Sequence, residues 1–367
     1  MFNNIYKGKK ILLTGHTGFK GTWLTKWLLN LGASVVGVSN KIPTIPSMFE
    51  IIGLEKKIKH LIIDIRNFDE LNKVISKEKP DFIFHLAAQA IVSTSYKDPL
   101  DTISSNVMGT TNILESLRIL KNNCTAVIIT SDKVYNNIEQ IWGYKENDQI
   151  GGKDVYSGSK GAAELIIKSY YNSFFKIENS NIRLAVARAG NVIGGGDWAK
   201  DRIVVDAISA WSRKESVEIR SPKATRPWQH VLEPLSGYLT LGMNLHKNRI
   251  LNGECFNFGP MTKKDKTVEE LIKDLSNYWH IGKNINPVLV NKTNDFYEAN
   301  LLKLNCEKSQ KLLNWYSSLD YENTIKFISD WYINFYNKKK IDMNKITNNQ
   351  ILEYQKIAKS KLLEWTA

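Results

Sequence analysis

Tyr156 and Lys160 stand four residues apart in Gly151-Gly152-Lys153-Asp154-Val155-Tyr156-Ser157-Gly158-Ser159-Lys160, so a helix through them carries both on one face. A phenol with an ordinary pKa of about 10 is a weak base at neutral pH, and a nearby ammonium is expected to stabilise its phenolate and lower that value. Such a pair can deprotonate an alcohol as hydride leaves the same carbon. Ser131-Asp132-Lys133 adds a carboxyl and a second amine. Lys133 alone could be a solvated lysine, but it follows a strand at the carboxyl edge of a sheet, where ligands bind.

A hydride needs an acceptor, and Thr14-Gly15-His16-Thr17-Gly18-Phe19-Lys20-Gly21 points to one. Glycines 15, 18 and 21 lie on a strand-to-helix turn. Without Cβ atoms they let the backbone approach a pyrophosphate at the positive end of the following helix. An acid about 20 residues on usually takes the ribose 2′-hydroxyl, but Val38-Ser39-Asn40-Lys41 has none, leaving NAD and NADP both compatible with the turn. Asn40 and the loop beyond it are the candidates for ribose contact. Asp64 is equally suited to accept from an adenine amino group or to cap a helix starting near Asn67.

These groups need a scaffold that brings turns together. Short apolar runs at Lys10–Thr14, Ser34–Val38, Leu61–Asp64, Phe82–Leu86, Ala126–Thr130 and Arg183–Ala187 read as strands. Between them lie helical patterns at Leu24–Leu31, Asp69–Ser76, Thr102–Leu120 and Ala162–Phe174. Strand–helix alternation implies parallel strands with right-handed crossovers, covered on both faces. The expectation is a Rossmann-type, doubly wound α/β sheet over residues 1–187. After about residue 188 the alternation fails, and residues 188–345 read mainly as a smaller substrate domain over the carboxyl edge, with some segments returning to the first. Helical patterns recur at Val268–Trp279, Cys306–Leu313 and Thr324–Tyr336, and residues 346–367 belong to a terminal helix spanning Asn344–Glu364. Arg226 and Trp228 in Arg220–Gln229 suit a diphosphate and base pocket, since an Arg fork matches phosphate oxygens. Asp197 and Trp198, after Gly194-Gly195-Gly196, read as a flexible cover.

Composition narrows the classes. The 367 residues are 43% hydrophobic, 24% charged and 10% aromatic, enough apolar material for a substantial core. A net charge of +13 raises nucleic acid, yet 41 of the 50 basic residues are scattered Lys and only 9 are Arg. That pattern solvates a surface and draws small anions; it is not a basic stripe. Lys338-Lys339-Lys340 reads as a solvated linker. Cys124, Cys255 and Cys306 are widely spaced and odd in number, so no disulfide framework or metal cage is expected. No run reaches the roughly 18 to 20 apolar residues of a membrane span, and the apolar patch Ile11–Leu13 is too short for a signal peptide, so a cytoplasmic protein is expected.

TGHTGFKG, HLAAQ at His85–Gln89, NVMGT at Asn106–Thr110, the Tyr-x-x-x-Lys and RAGNVIGGGDWAKDR at Arg188–Arg202 together resemble the extended short-chain dehydrogenase/reductase family of NAD-dependent epimerases and dehydratases. TSDKVY at Thr130–Tyr135, GGKDVYSGSKGAAEL at Gly151–Leu165 and RPWQHVLEPLSGYL at Arg226–Leu239 resemble its CDP-glucose 4,6-dehydratase branch, nearly end to end. The resemblance implies that Gly15, His16, Thr17, Gly18, Phe19 and Gly21 line a tightly bound NAD pyrophosphate. It further implies that Asp64 and Ile65 face adenine and that Ala87, Ala88 and Gln89 border the cofactor cleft. Asn106 would support the site, Tyr156 and Lys160 would be the redox pair, and Ser131, Asp132 and Lys133 would handle elimination, Lys133 as the carbon-5 base. Asn191, Arg202 and Arg226 would hold the sugar nucleotide. Ala90 and Val155 stand where the family commonly has proline, and Val134 where it has cysteine.

The implied activity is a lyase acting on CDP-glucose in deoxysugar, O-antigen or lipopolysaccharide biosynthesis, as a homodimer, without nucleic acid or membrane partners. A dehydratase for another nucleotide sugar and a nucleotide-sugar 4-epimerase share the Tyr/Lys pair. A cofactor-binding scaffold without turnover is the alternative from another class, and retention of Tyr156, Lys160, Asp132 and Lys133 together argues against it.

Overall fold

The computed structural model describes residues 1–261, 266–279, 285–290, 299–337 and 341–367; the Lys338–Lys340 run lies outside them. Short β-branched and apolar runs become strands β1 (Lys10–Thr14), β2 (Ser34–Ser39), β3 (Lys59–Ile62), β4 (Phe82–His85), β5 (Cys124–Ile129), β6 (Ile182–Arg188) and β7 (Cys255–Asn257). They form one sheet in the order β3-β2-β1-β4-β5-β6-β7. Every pairing is parallel.

The connections are α1 (Phe19–Asn30), α2 (Phe68–Glu78), α3 (Gly109–Ile119) and α4 (Val155–Tyr170); beyond them come α5 (Leu232–Lys247), α6 (Tyr321–Tyr336) and α7 (Met343–Ser360). Alternate residues of β1 feed two cores. Ile11 and Leu13 pack with Trp23 and Trp27 of α1, Leu239 of α5, Trp331 of α6 and Tyr354 of α7. Leu12 joins Leu71 of α2, Ile113 of α3 and Ile167 of α4 on the opposite face. This is the expected Rossmann-type, doubly wound sheet. Its crossovers diverge between β1 and β4, which opens a crevice at their carboxyl ends.

Three differences from the sequence reading have local causes. β7 escaped notice because three residues show no periodicity and arrive some seventy positions after β6. The run expected as one helix over Thr102–Leu120 contains a π-turn at Ser104–Met108, between Pro99–Ile103 and α3. The terminal helix stops at Ser360, short of Glu364, because Leu362 takes a left-handed φ of 57° and turns the chain so that Trp365 stacks on Phe2 and Tyr354. Above the carboxyl edge the chain forms two-stranded ribbons, Val192–Ile193 with Gln229–His230 and Thr225–Arg226 with Lys266–Thr267. No helix among the described residues is long and apolar enough to cross a membrane.

Candidate active site

The glycine turn after β1 is shaped by close approach. Gly15 has a φ of +75°, and a Cβ there would lie 2.7 Å from the Ala87 nitrogen in the loop after β4. A Cβ on Gly21 would enter the Gly15 carbonyl. Gly18 is the N-cap of α1 and offers no side-chain cap, so the first N–H groups of that helix are left for an anion. Thr17 ties the turn to the end of β2 by donating from Oγ1 to the Lys41 carbonyl at 2.7 Å. The His16 ring turns away from the crevice. Its Nε2 lies 2.6 Å from Nδ1 of His60, its Nδ1 is 3.1 Å from Ser39 Oγ, and burial pushes it down to about 4, so it is neutral.

Two residues beyond β3, which stops at Ile62 rather than at Asp64 as expected, Asp64 is gripped by Arg66, whose Nη2 and Nε donate to it at 2.6 and 3.0 Å. That contact, with help from Asn40, holds the carboxyl below its usual range. The cap of α2 is Asn67, which accepts from the Glu70 N–H, so the capping alternative for Asp64 falls away. Ile65 is buried, with its side chain filling the space beside Gly109. Ala87 and Ala88 are half-buried after β4. Asn106 sits in the π-turn and is buried; it accepts from the Gln89 N–H at 2.9 Å and donates to the Gln89 carbonyl at 3.0 Å and to Ser159 Oγ at 2.9 Å. One amide thus locks the β4 loop to α4. A π-turn at such a position is common in functional sites because it re-aims one side chain.

A cleft of about 420 Å³ opens over this edge, lined by Phe19, Lys20, Ser131, Asp132, Lys133, Tyr156, Asn191, Arg202 and Arg226 among others. Asp132 is buried, accepts from Ser131 Oγ at 3.0 Å and from Asn191 Nδ2 at 3.4 Å, and presses on Gly190, where any Cβ would collide with its carboxylate. Asn191 reaches it from a left-handed φ of 52°, which Asn tolerates better than most residues. Tyr156, on α4, contradicts the expected lowering: burial pushes it up to about 12, a hydrogen bond with Ser131 opposes, Asp132 raises it further and Arg202 lowers it. Lys160 is not among its dominant influences. Burial drives Lys160 down to about 8 and Glu164 opposes that; its charge bears on His85 and Lys20. Lys160 is itself buried.

At the far end, Arg226 is buried and donates from Nη1 to the Thr225 and Asn300 carbonyls. Arg202 Nη1 pairs with Asp197 at 2.6 Å. The flexible cover expected at Asp197-Trp198 is instead a fixed corner. Trp198 is buried against Trp331, Tyr332 and Phe335 of α6, and a Cβ on Gly195 would enter the Trp331 ring. Tyr332 also donates to the Asp197 carbonyl at 2.6 Å.

Sequence reasoning missed two groups. Lys20, read only as a member of the glycine turn, lies half-buried on the cleft wall and donates to the hydroxyl of Tyr238 on α5 at 3.4 Å. Burial, then Arg202 and Lys160, push Lys20 down to about 8, and Asp132 holds it up. Its sequence signal was a charged residue between Phe19 and Gly21, where a buried helix start needs none. Tyr238 gave no signal.

Residues 12–328 match the family model described as GDP-mannose 4,6 dehydratase. A CDP-glucose 4,6-dehydratase of Salmonella typhimurium is 44% identical over 332 residues, covering 90% of this chain and 92% of that protein. A CDP-paratose 2-epimerase of Salmonella typhi is 26% identical, over 88% of this chain and 98% of its own length. Among solved structures, dTDP-glucose 4,6-dehydratase from Bacillus anthracis in complex with NAD superposes with a TM-score of 0.72 at 20% identity, covering 89% of this chain and 96% of that one. UDP-glucose 4-epimerase from Thermotoga maritima with UDP-glucose gives 0.76 at 20% identity, covering 89% and 100%.

Proposed function

The chain belongs to the GDP-mannose 4,6 dehydratase family of NAD-dependent short-chain enzymes, and on that premise we propose that it converts CDP-D-glucose to CDP-4-dehydro-6-deoxy-D-glucose, as a CDP-glucose 4,6-dehydratase. The observation that carries the reading is the wall of one cleft on which Asp132 and Lys133 stand with Tyr156. An alcohol oxidation needs only the phenol; loss of water also needs an acid and a base. Identity with the Salmonella dehydratase over 90% of the chain supports the same conclusion.

The crevice fits NAD: the cradle at Gly15 and Gly21 admits backbone close to a diphosphate, and the uncapped start of α1 offers it N–H groups. Bound there, NAD would supply the hydride chemistry, an acceptor for carbon 4 of the sugar and a donor for carbon 6. The rest is proton management by side chains. Tyr156 takes the 4-hydroxyl proton, and the ketone that forms acidifies carbon 5. Lys133 removes the carbon-5 proton as Asp132 protonates the departing 6-hydroxyl, and water leaves across carbons 5 and 6. Lys133 then returns a proton to carbon 5. Asn191, beside Asp132, and Arg202 and Arg226 along the same cleft hold the sugar nucleotide, while Asp64 and Ile65 border adenine.

Exposed apolar side chains of Leu100, Ile103 and Met108, beside Leu165 of α4, support a homodimer through that face. All three cysteines are free, in line with a cytoplasmic enzyme. The 4-ketone and new methyl group mark the product as an intermediate of deoxysugar synthesis, such as that of O-antigen. Incubation with CDP-, dTDP-, UDP- and GDP-glucose, with NAD supplied, tests the reading. The expected outcome is a product lighter by one water, formed fastest from CDP-glucose; unchanged mass with an inverted carbon 4 would make it an epimerase, and preference for another base would move the substrate.

A further inference from the structure

The corner from Gly195 to Trp198 belongs to no strand or helix, so its buried main-chain groups need partners from elsewhere. Trp23 Nε1 of α1 donates to the Gly195 carbonyl at 2.9 Å, and the Trp198 indole donates to the Tyr336 hydroxyl at 3.4 Å. Between them the Tyr332 hydroxyl of α6 donates to the Asp197 carbonyl at 2.6 Å and accepts from the Asp197 N–H at 3.2 Å, so one phenol closes on both main-chain groups of one residue. Tyr332 is fully buried. Burial, reinforced by the charge of Asp197, holds its phenol well above the ordinary value, so the donated proton stays on it.

The Asp197 side chain extends that hold towards the cleft. Its Oδ1 accepts from the Ala199 N–H at 3.1 Å, and its Oδ2 accepts from Arg202 Nη1 at 2.6 Å. Arg202 stands at the start of the helix Ile203–Ser212 and lines the cleft, with 33% of its side chain exposed. It makes no other hydrogen bond with the described residues. One guanidinium nitrogen is thus committed to Asp197, and the remaining N–H groups are left for an anion, the use to which an arginine fork is suited.

We propose that Tyr332 is a positioning residue for the substrate diphosphate, acting through Asp197 on Arg202. The proposal rests on the assignment of Arg202 to the sugar nucleotide. An arginine whose partner sat on a loose loop would lose conformational freedom each time it ordered on a phosphate. With Asp197 clamped at its N–H and its carbonyl, Arg202 is ordered before the anion arrives. Order of this kind favours the bound substrate and the transition state equally, so it lowers KM and leaves kcat alone. The hydroxyl carries the effect, not the ring. Packing against Trp198 is shared with Trp331 and Phe335, whereas the hydroxyl's only hydrogen bonds among the described residues are those to Asp197.

Calorimetric titration of the NAD-loaded enzyme with CDP, which carries the diphosphate and has no hexose to oxidise, tests this alongside turnover of CDP-glucose. The fitted number of sites counts the folded protein, so a loss of stability is not read as a loss of affinity. Arg202→Met should weaken CDP binding roughly 10- to 100-fold, and Tyr332→Phe, which keeps the ring, about three- to tenfold. In Tyr332→Phe the KM for CDP-glucose should rise by the same factor, with kcat within about twofold of wild type and affinity for NAD unchanged. The double variant should bind CDP no more weakly than Arg202→Met alone, because the phenol acts through that side chain. Unchanged CDP affinity in Tyr332→Phe, or a loss that multiplies in full on top of Arg202→Met, would overturn the positioning role alone. Wild-type CDP affinity in Arg202→Met would remove Arg202 from the substrate site and Tyr332 with it. The expected differences in CDP affinity, in an enzyme that releases no water from CDP-glucose, would overturn the dehydratase reading and leave the role of Tyr332 standing.

Discussion

Two buried polar clusters meet along α4, within a turn or two of each other, and they are built to opposite ends. In the first, Glu164 accepts from Thr130 Oγ1 at 2.5 Å and from Arg188 Nε at 2.9 Å, and Arg188 Nη2 closes the second arm of the fork. Arg188 Nη1 donates to the Tyr135 hydroxyl at 2.7 Å and to the Glu146 carbonyl at 3.0 Å, and Tyr135 donates to Asn257 at 2.7 Å. Asn257 then ties in Tyr144 and Asn305 through their carbonyls. Charge meets charge, and β5, β6, β7 and α4 are pinned together. The second cluster holds Tyr156, Ser131 and Asp132, and its carboxyl accepts from Ser131 and Asn191 alone among the described residues while facing a cavity. A saturated buried network specifies structure; one with spare acceptor capacity is left for a substrate to complete.

That contrast predicts a crossed pair of outcomes. Asp132→Asn should cost roughly 10²–10⁴ in kcat, the usual worth of a general acid, with a melting temperature equal to or above that of the wild type. Arg188→Met should do the reverse. It strands Glu164 in the core, so unfolding in urea should come about 3–5 kcal/mol more easily, as for a buried ion pair that loses one partner, while whatever remains folded keeps its KM for CDP-glucose. If Asp132→Asn destabilises as much as Arg188→Met, the two clusters are one scaffold and the division fails.

The same contrast explains how much could be read from the amino acids alone. The glycine turn and the Tyr156/Lys160 pair depend on spacings of three and four residues, which local geometry converts directly into a shared face. The alternation of strands and helices gave the sheet for the same reason. What stayed hidden depends on packing between distant segments. Asp197 and Trp198 looked mobile until Trp331 of α6, more than 130 residues later, was seen to fill the space beside Trp198 and Gly195. Lys20 became a cleft residue only through Tyr238, 218 positions away. Lys160 was expected to stabilise the Tyr156 phenolate, but sharing a helix face fixes only direction, and burial outweighed the neighbouring charge.

Lys20 gives the smallest and most discriminating effect. Lys20 and Lys160 are both pushed down to about 8, with burial the leading cause in each, and Lys160 contributes to the lowering of Lys20. Both amines are therefore charged below about pH 8 and lose their protons as pH rises through it. Asp132 favours the charged form of Lys20, so the ammonium in turn steadies the carboxylate, while Arg202 opposes it and Tyr238 accepts its hydrogen bond. Two coupled amines that must both be charged give an alkaline limb steeper than one proton, with apparent values that belong to the pair. Lys20→Met should reduce that limb to one proton and move it upward, because Lys160 is relieved of a like charge. At pH 7 it should lower kcat by only about two- to fivefold, the equivalent of about 1 kcal/mol or less for a half-exposed charge. Lys20→Arg should also give a one-proton limb, but without the upward move and with kcat at pH 7 preserved, since a guanidinium keeps its charge throughout. A pH–rate profile in which all three proteins share one limb would place Lys20 with the structural cluster, as a lysine that only fills the wall beside Tyr238.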